Sequence, residues 1–395
     1  MTSTSPRPRY QQAVHSTTAE PIPAPAAPPA RRKTAIFIAA TGVVGVAALT
    51  LGMWLGGNLT LSTINGMSIG GTGGLTDWGL PAAKLLLDLS SLGVIGMLVV
   101  CLLLPGRTPP DDAAEVNAVI RRLLRTATWL ALAWAVANAA LLLFAWSEVI
   151  ARPVTDLPFT RLFTDTSQTF PDAADYISST TLAVVIAAGV AITNTRRGAW
   201  ILLPLATYNL TPMALQGHAA HGTLLKYGLM AHIIAISLWV GGLAALVTHL
   251  RNRPTLLATA APRFSTLALA CYTAVAASGI VAAWRLLGSL PSLWGSRYGV
   301  LIMLKAAALI ALGTFGWWHR RHTIHRIRAN QGTGTTRARR AFIRLAAAEV
   351  AIMVAAVAIA VALSRSASPD TIRLHTNRQA GAVVHYAPVV KHLMG

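Results

Sequence analysis

Three histidines near the middle of the chain have the types and spacing of a metal-binding set. His218 and His221 lie in LQGHAAHG, and His232 follows inside the apolar stretch LMAHIIAISLWVGG. On an extended helix the three would share one face, because their separations are close to whole numbers of turns. Met230 and Met303 add thioethers on the same side, and imidazole with thioether suits Cu(I), whereas imidazole alone also suits Cu(II). These five residues therefore form a candidate copper site.

Each member of this set also has an ordinary structural interpretation. A single buried histidine is more often hydrogen-bonded to a neighbouring helix than bound to metal, and methionine is a common helix filler. Two cysteines, Cys101 and Cys271, both fall inside apolar runs, so they predict neither a disulfide framework nor a CxxC site. We interpret both as buried structural residues rather than Cu(I) ligands.

Ionisable residues also occur inside the apolar runs, where they are costly and indicate function by default. They are Lys305, Glu349 and Asp88, with Lys84 one turn before Asp88. Lys84 and Asp88 have the spacing at which opposite charges neutralise each other on one helix. Lys305 and Glu349 would either tie two helices together or support the metal site. We treat Lys305, Glu349 and Asp88 as intramembrane polar support.

The elements that position these residues are membrane-spanning helices. Of 395 residues, 54% are hydrophobic and only 12% are charged, which is typical of polytopic membrane proteins and excludes an ordinary soluble domain. A span needs about 20 mostly apolar residues. The predicted spans are 34–56, 80–104, 124–146, 177–194, 199–215, 224–249, 265–287, 298–318 and 341–364.

The connections between successive spans are alternately rich and poor in arginine and lysine. This pattern predicts an all-α, polytopic transmembrane helical bundle of about nine spans, with the N terminus inside and the C terminus outside. The formal charge of +20 is explained by these cytoplasmic segments, so we expect no nucleic-acid partner. The partner expected instead is membrane lipid.

The chain divides into four predicted regions. Residues 1–33 form a disordered cytoplasmic arm, 34–217 the N-terminal spans, 218–364 a transmembrane core, and 365–395 an extracytoplasmic tail. Nucleotide-binding loops, hydrolase elbows and zinc-protease motifs are absent from the sequence, and no nucleophile–base set is visible. The sequence therefore does not predict an enzyme.

From about residue 218 to 364 the chain resembles the CopD family, the copper resistance D membrane proteins. The resemblance rests on GHAAHG, MAHIIAISLWVGGLAAL, RFSTLALACYTAVAASGIVAAWRLL and SLWGSRYGVLIMLKAAAL. It implies a multi-pass plasma-membrane protein that handles copper, and it points to His232, Lys305 and His218. It also implies that a CopC-like copper-binding protein or a CtaG-type assembly protein would be a separate polypeptide.

Three functions stay open at this point. The first is movement of copper ions from outside toward the cytoplasm. The second is a copper-holding or scaffold factor for cytochrome oxidase assembly that transports nothing. The third is a b-haem or quinone redox protein, which is disfavoured because His232 is the only deep histidine that the sequence predicts.

Overall fold

Long helices make up nearly all of the computed structural model. It describes residues 29–56, 63–64, 67–68, 72–106, 110–158, 170, 172–212, 223–287, 291–318, 321 and 335–365. The helices are α1 (Pro29–Gly56), α2 (Gly73–Leu103), α3 (Pro110–Val149), α4 (Ala173–Ile192), α5 (Arg196–Tyr208), α6 (Thr223–Ile236), α7 (Gly242–Leu250), α8 (Pro254–Leu287), α9 (Ser292–Gly295), α10 (Arg297–Trp318) and α11 (Thr335–Arg365).

Three smaller elements complete the described fold, and one of them is a single 3-10 turn, Val154–Asp156, after α3. A π-helical segment, Ser237–Gly241, joins α6 to α7 without a break, so that Lys226–Leu250 forms one continuous span. Between α1 and α2, strands β1 (Thr63–Ile64) and β2 (Met67–Ser68) pair as a short antiparallel hairpin. The protein is therefore a polytopic helical bundle.

Eight helical stretches in the described residues are long and apolar enough to cross a membrane. They correspond to every predicted span except the fifth, 199–215, where α5 has only 13 residues. That length covers about 20 Å, less than the hydrocarbon thickness of about 30 Å. The break comes at Asn209 and Leu210, which form a turn before Pro212.

Although α5 is short, it runs from one end of the bundle toward the other. Arg196, at its start, donates a hydrogen bond of 2.6 Å to the carbonyl of Leu102 at the end of α2. Asn209, just past its end, donates to the carbonyl of Ser179 in α4 at 3.2 Å. Because Ser179 lies near the start of α4, α5 runs back along α4 for most of its length. The chain thus returns to the opposite end of the bundle before α6 begins.

Ion pairs and hydrogen bonds define two ends of the bundle. At the Glu148 end, Arg365 of α11 pairs with Glu148 of α3 at 2.7 Å, and the Thr76 and Ser147 hydroxyls share a hydrogen bond. At the Glu115 end, Arg253, between α7 and α8, pairs with Glu115 near the start of α3. Charges from distant parts of the chain therefore fasten the helices at both rims.

The first and last long helices run parallel to each other. A Cβ built on Gly45 would lie 3.1 Å from the Val354 side chain, and one built on Gly52 would lie 2.8 Å from that of Ala362. Both contacts advance in the same direction along α1 and α11. The start of α1 is therefore at the Glu115 end, and the end of α11 is at the Glu148 end. Helix α1 begins at Pro29, and residues 1–28 and 366–395 lie outside the described part.

Helix α2 occupies the centre of the bundle. It packs against α3, α5, the π-helical segment, α7 and α11. Most of its side chains are buried, among them Ile95, Leu98 and Val100. Helices α8 and α10 lie at the periphery, so much of their apolar surface faces the surroundings. This arrangement leaves α6, α8 and α10 to form the site described next.

Candidate functional site

His232 lies at the same depth as two polar residues on neighbouring helices. It is nine residues into α6, and Ser278 is nine residues before the end of α8. Lys305 is eight residues into α10, which follows α8 after a short connection at the Glu148 end. At 1.5 Å per residue, all three are about 12 to 14 Å from that end. Three helices thus converge on one level of the membrane.

The imidazole of His232 is held by the hydroxyl of Ser278. Nδ1 of His232 and Oγ of Ser278 are 2.8 Å apart. The same Oγ donates to the carbonyl of Ala274 at 2.6 Å, and Lys305 is near enough to His232 to interact with it electrostatically. His232 is half-buried. The geometry therefore gives a positioned imidazole in a partly enclosed site with a cationic neighbour.

The other predicted ligands are less closely tied to His232. Met230 and Met303 are both half-buried and at a similar depth. Met230 precedes His232 by two residues, and Met303 precedes Lys305 by two, which is about 200° around a helix. Each thioether therefore leaves its helix on nearly the opposite face from its polar neighbour. His218 and His221 lie outside the described residues.

The buried charges occupy separate places in the bundle. Asp88 is buried in α2, and its charged neighbour is Lys84, one turn earlier on the same helix. Glu349 is buried in α11 and lies in the half of its span nearer the Glu115 end. Lys305 lies in the other half of its span, near His232. Lys305 is thus at the same depth as His232, whereas Glu349 and Asp88 lie on other helices, α11 and α2.

A second histidine lies in the same span, where the sequence interpretation counted only His232 as deep. His249 is at the end of α7, with Nε2 3.1 Å from the Thr126 hydroxyl of α3 and Nδ1 2.8 Å from the Thr248 hydroxyl. Seventeen residues separate it from His232, or about 25 Å along the helix. The two histidines cannot ligate one haem. The sequence signal for His249 was present in THLRNR, at the boundary of the span.

Ser278 was also missed by sequence reasoning. A serine inside an apolar helix carries no motif, since its hydroxyl commonly bonds to its own backbone. Its signal was positional: it lies as far from the end of α8 as His232 lies from the start of α6. Within the described residues, no group of three or more histidine, cysteine, aspartate or glutamate side chains is placed to hold a metal. Cys101 and Cys271 are both buried and free of disulfides.

Helix α2 packs closely against the π-helical segment, nine residues after His232 toward the Glu115 end. A Cβ added to Gly241, in the π-helical segment, would lie 1.9 Å from the carbonyl oxygen of Leu92. A Cβ added to Gly96 would lie 2.0 Å from the backbone of Gly241. Such close backbone contact requires glycine at both positions. π-Helical segments occur frequently at functional sites, and this one begins five residues after His232.

Comparison with known proteins identifies two family matches. The family described as Copper resistance protein D matches residues 258–363, and the Copper resistance protein D-like, N-terminal domain matches residues 75–227. Together they cover about two thirds of the chain and extend the resemblance to the earlier spans. His232 falls between the two matched ranges, whereas Ser278 and Lys305 lie within the first. No curated protein and no solved structure matches the chain significantly.

The two matches occur in the order that an N-terminal domain and a CopD domain require, and the described helices are those of a multi-pass membrane protein. The chain belongs to the copper resistance protein D family of membrane proteins.

Proposed function

We propose that this chain moves copper ions across the plasma membrane, from outside toward the cytoplasm. The observation that carries the proposal is the convergence of His232, Ser278 and Lys305 from three helices at one depth. A positioned imidazole is a copper ligand in either oxidation state. A polar group inside a membrane bundle is retained where it serves a substrate path. The family match supports copper as the substrate.

The orientation follows from the distribution of arginines. Arg196, Arg253 and Arg263 cluster at the Glu115 end, together with those at the start of α3. Cytoplasmic rims carry such an excess of positive residues. The Glu148 end would then face outward, and His232 would lie in the outer half of the membrane. Copper would reach His232 from the outer side, after collection by His218 and His221.

Additional donors and partners complete the proposed path. Met230 and Met303 would offer thioethers near the level of His232, and Glu349 and Asp88 would supply polar support deeper in the bundle. Because copper does not circulate free, a separate CopC-like protein would deliver it at the outer face. A CtaG-type assembly protein is the alternative partner if the copper is destined for an oxidase. In this proposal the protein acts as a carrier and catalyses no chemical conversion.

The close packing of Gly96 on Gly241 favours a second candidate function. This tight helix contact, nine residues inward of His232, would suit a protein that holds copper at its outer half without passing it on. In that case the chain would serve as a holding or scaffold factor for oxidase assembly. The two functions share the same site and differ in whether copper crosses the membrane.

Copper accumulation in cells that lack their own importer distinguishes these functions. Wild type, His232→Ala and an empty vector would be compared at matched membrane levels of protein. Transport predicts accumulation above the empty vector for wild type and a return to the vector level for His232→Ala. Wild type equal to empty vector, with copper still bound to the purified protein, would overturn transport in favour of holding.

A further inference from the structure

We infer that Ser278 is a positioning residue that keeps His232 in the tautomer protonated at Nδ1, so that Nε2 is the atom presented to copper. This inference rests on the proposed function, since it names the ligating atom of the same site. Ser278 itself would not touch the metal. It would act only through the imidazole, as an outer partner that fixes ring orientation and tautomer.

The Ser278 hydroxyl has a single proton, and its neighbours determine where that proton points. Oγ lies 2.6 Å from the carbonyl oxygen of Ala274 and 3.2 Å from that of Val275. Carbonyl oxygens only accept hydrogen bonds, so the hydroxyl proton must point toward them. The shorter distance assigns it to Ala274, one turn earlier on α8. The remaining capacity of Oγ is therefore for accepting a hydrogen bond.

His232 must supply the proton of its hydrogen bond with Ser278. Its Nδ1 is 2.8 Å from Oγ, and that bond needs a proton which Ser278 has already committed elsewhere. The proton must then come from Nδ1. A neutral imidazole has one N–H group, so Nε2 carries the free lone pair. The doubly protonated ring would place another positive charge beside Lys305, inside an apolar bundle.

Gly279 borders the edge of the imidazole through which a metal would reach Nε2. Gly279 follows Ser278, and a Cβ at this position would stand 3.9 Å from Cε1 of His232, the ring atom between the two nitrogens. The glycine therefore leaves this edge of the imidazole uncovered. The carbonyl of Val275, one turn before Ser278 on α8, also forms a hydrogen bond with the His232 ring, and a carbonyl can only accept from a ring N–H. Ser278 thus orients the ring, and the absence of a Cβ at Gly279 leaves space beside Cε1, the atom next to Nε2.

Copper affinity of the purified full-length protein tests this role. Cu(I) would be titrated in competition with a chromophoric chelator for wild type, Ser278→Ala, Ser278→Thr and His232→Ala. Loss of an outer partner of a ligating histidine weakens metal binding by about 10- to 100-fold, which is the loss expected for Ser278→Ala. Ser278→Thr should restore most of the affinity, because threonine bonds to the preceding turn in the same way.

Thr273→Ala supplies the matched control. Thr273 lies on the same helix, is bonded through its hydroxyl to the carbonyl of Ala270, and is exposed. Removing that hydroxyl should leave copper affinity within about twofold, since it has no part in the site. An equal loss in Thr273→Ala and Ser278→Ala would overturn the inference, because it would show a general effect of disturbing α8.

An infrared difference spectrum provides a readout that a purely structural role would not change. The ring-stretching bands of histidine differ between the two neutral tautomers, and subtraction of His232→Ala isolates those of His232. Wild type should show the Nδ1–H form, and Ser278→Ala a mixture. An Nε2–H form in wild type would overturn the inference.

The affinity data separate this inference from the proposed function. Unchanged affinity in Ser278→Ala, with binding lost in His232→Ala, would overturn the role of Ser278 and leave His232 as the ligand. Unchanged affinity in His232→Ala would remove the proposed site itself, and the inference with it. The expected pattern is a complete loss for His232→Ala, a partial loss for Ser278→Ala and recovery for Ser278→Thr.

Discussion

His232 and His249 share one continuous membrane-spanning helix but differ in what their ring nitrogens contact. His232 has Nδ1 beside the Ser278 hydroxyl, and its ring also forms a hydrogen bond with the Val275 backbone. His249 has a threonine hydroxyl next to each nitrogen, Thr126 on α3 and Thr248 on its own helix. A hydroxyl therefore stands beside each ring nitrogen of His249, so that neither nitrogen is open to a metal. We therefore expect the two residues to have different roles, although their sequence surroundings are similarly apolar.

Replacing His249 with glutamine should reduce stability without changing copper binding. The substitution removes the contact between α7 and Thr126, and a hydrogen bond of this kind contributes about 1 kcal/mol. Thermal unfolding of the purified protein should show a lower Tm, and the Cu(I) titration should match wild type. A loss of copper affinity comparable to that of His232→Ala would contradict this division of roles.

At the scale of elements, the close approach of α2 to the π-helical segment fixes the position of α6. Gly96 and Gly241 bring the two backbones into direct contact, which side chains at either position would prevent. Small residues allow such close packing in membranes, where van der Waals contact replaces the hydrophobic driving force. Because His232 lies nine residues, or about two and a half turns, before Gly241 on the same continuous span, its depth depends on this contact.

Gly96→Ala should destabilise the protein markedly. The new Cβ would overlap the backbone of Gly241, so the helices must separate, and overpacking of this kind costs about 1 to 3 kcal/mol or more. Gly42→Ala in α1 is the control, because a Cβ there meets nothing within 4 Å. Tm measurements should show a clear decrease for Gly96→Ala and little change or a small increase for Gly42→Ala. Equal Tm values for the two variants would argue against a tight contact.

In the whole molecule, the start of α1 and the end of α11 lie at opposite ends of the bundle. Helices α1 and α11 are parallel, and the Arg365–Glu148 pair holds the end of α11 beside the end of α3. This relation is independent of which end faces the cytoplasm. The proposed orientation, with the Glu115 end inside, rests on the arginine distribution.

Cysteine labelling tests the proposed orientation. In a background with Cys101→Ala and Cys271→Ala, Ser368→Cys should react with an impermeant maleimide in intact cells. Ser16→Cys should react only after permeabilisation, because the arm would face the cytoplasm. The reverse pattern would invert the topology. Labelling of both from outside would contradict the parallel arrangement of α1 and α11.

The sequence determined the class of this protein because its signals are local. Apolar runs of about 20 residues, separated by arginine-rich turns, are sufficient to predict a helical membrane bundle, and that prediction is confirmed. The CopD resemblance was likewise carried by contiguous motifs and is confirmed by the family matches. The fifth span was the weak point, since hydropathy alone does not show where Asn209 interrupts a helix.

The composition of the site required the tertiary structure. Sequence reasoning selected His232 and Lys305 because ionisable residues are rare within apolar runs. It had no means of pairing His232 with Ser278, 46 residues away on another helix. Hydrogen-bond partners across helices depend on which faces meet, and those faces are set by contacts such as Gly96 with Gly241. The sequence alone therefore determined that this is a membrane protein of the CopD family, and the tertiary structure decided which groups surround His232.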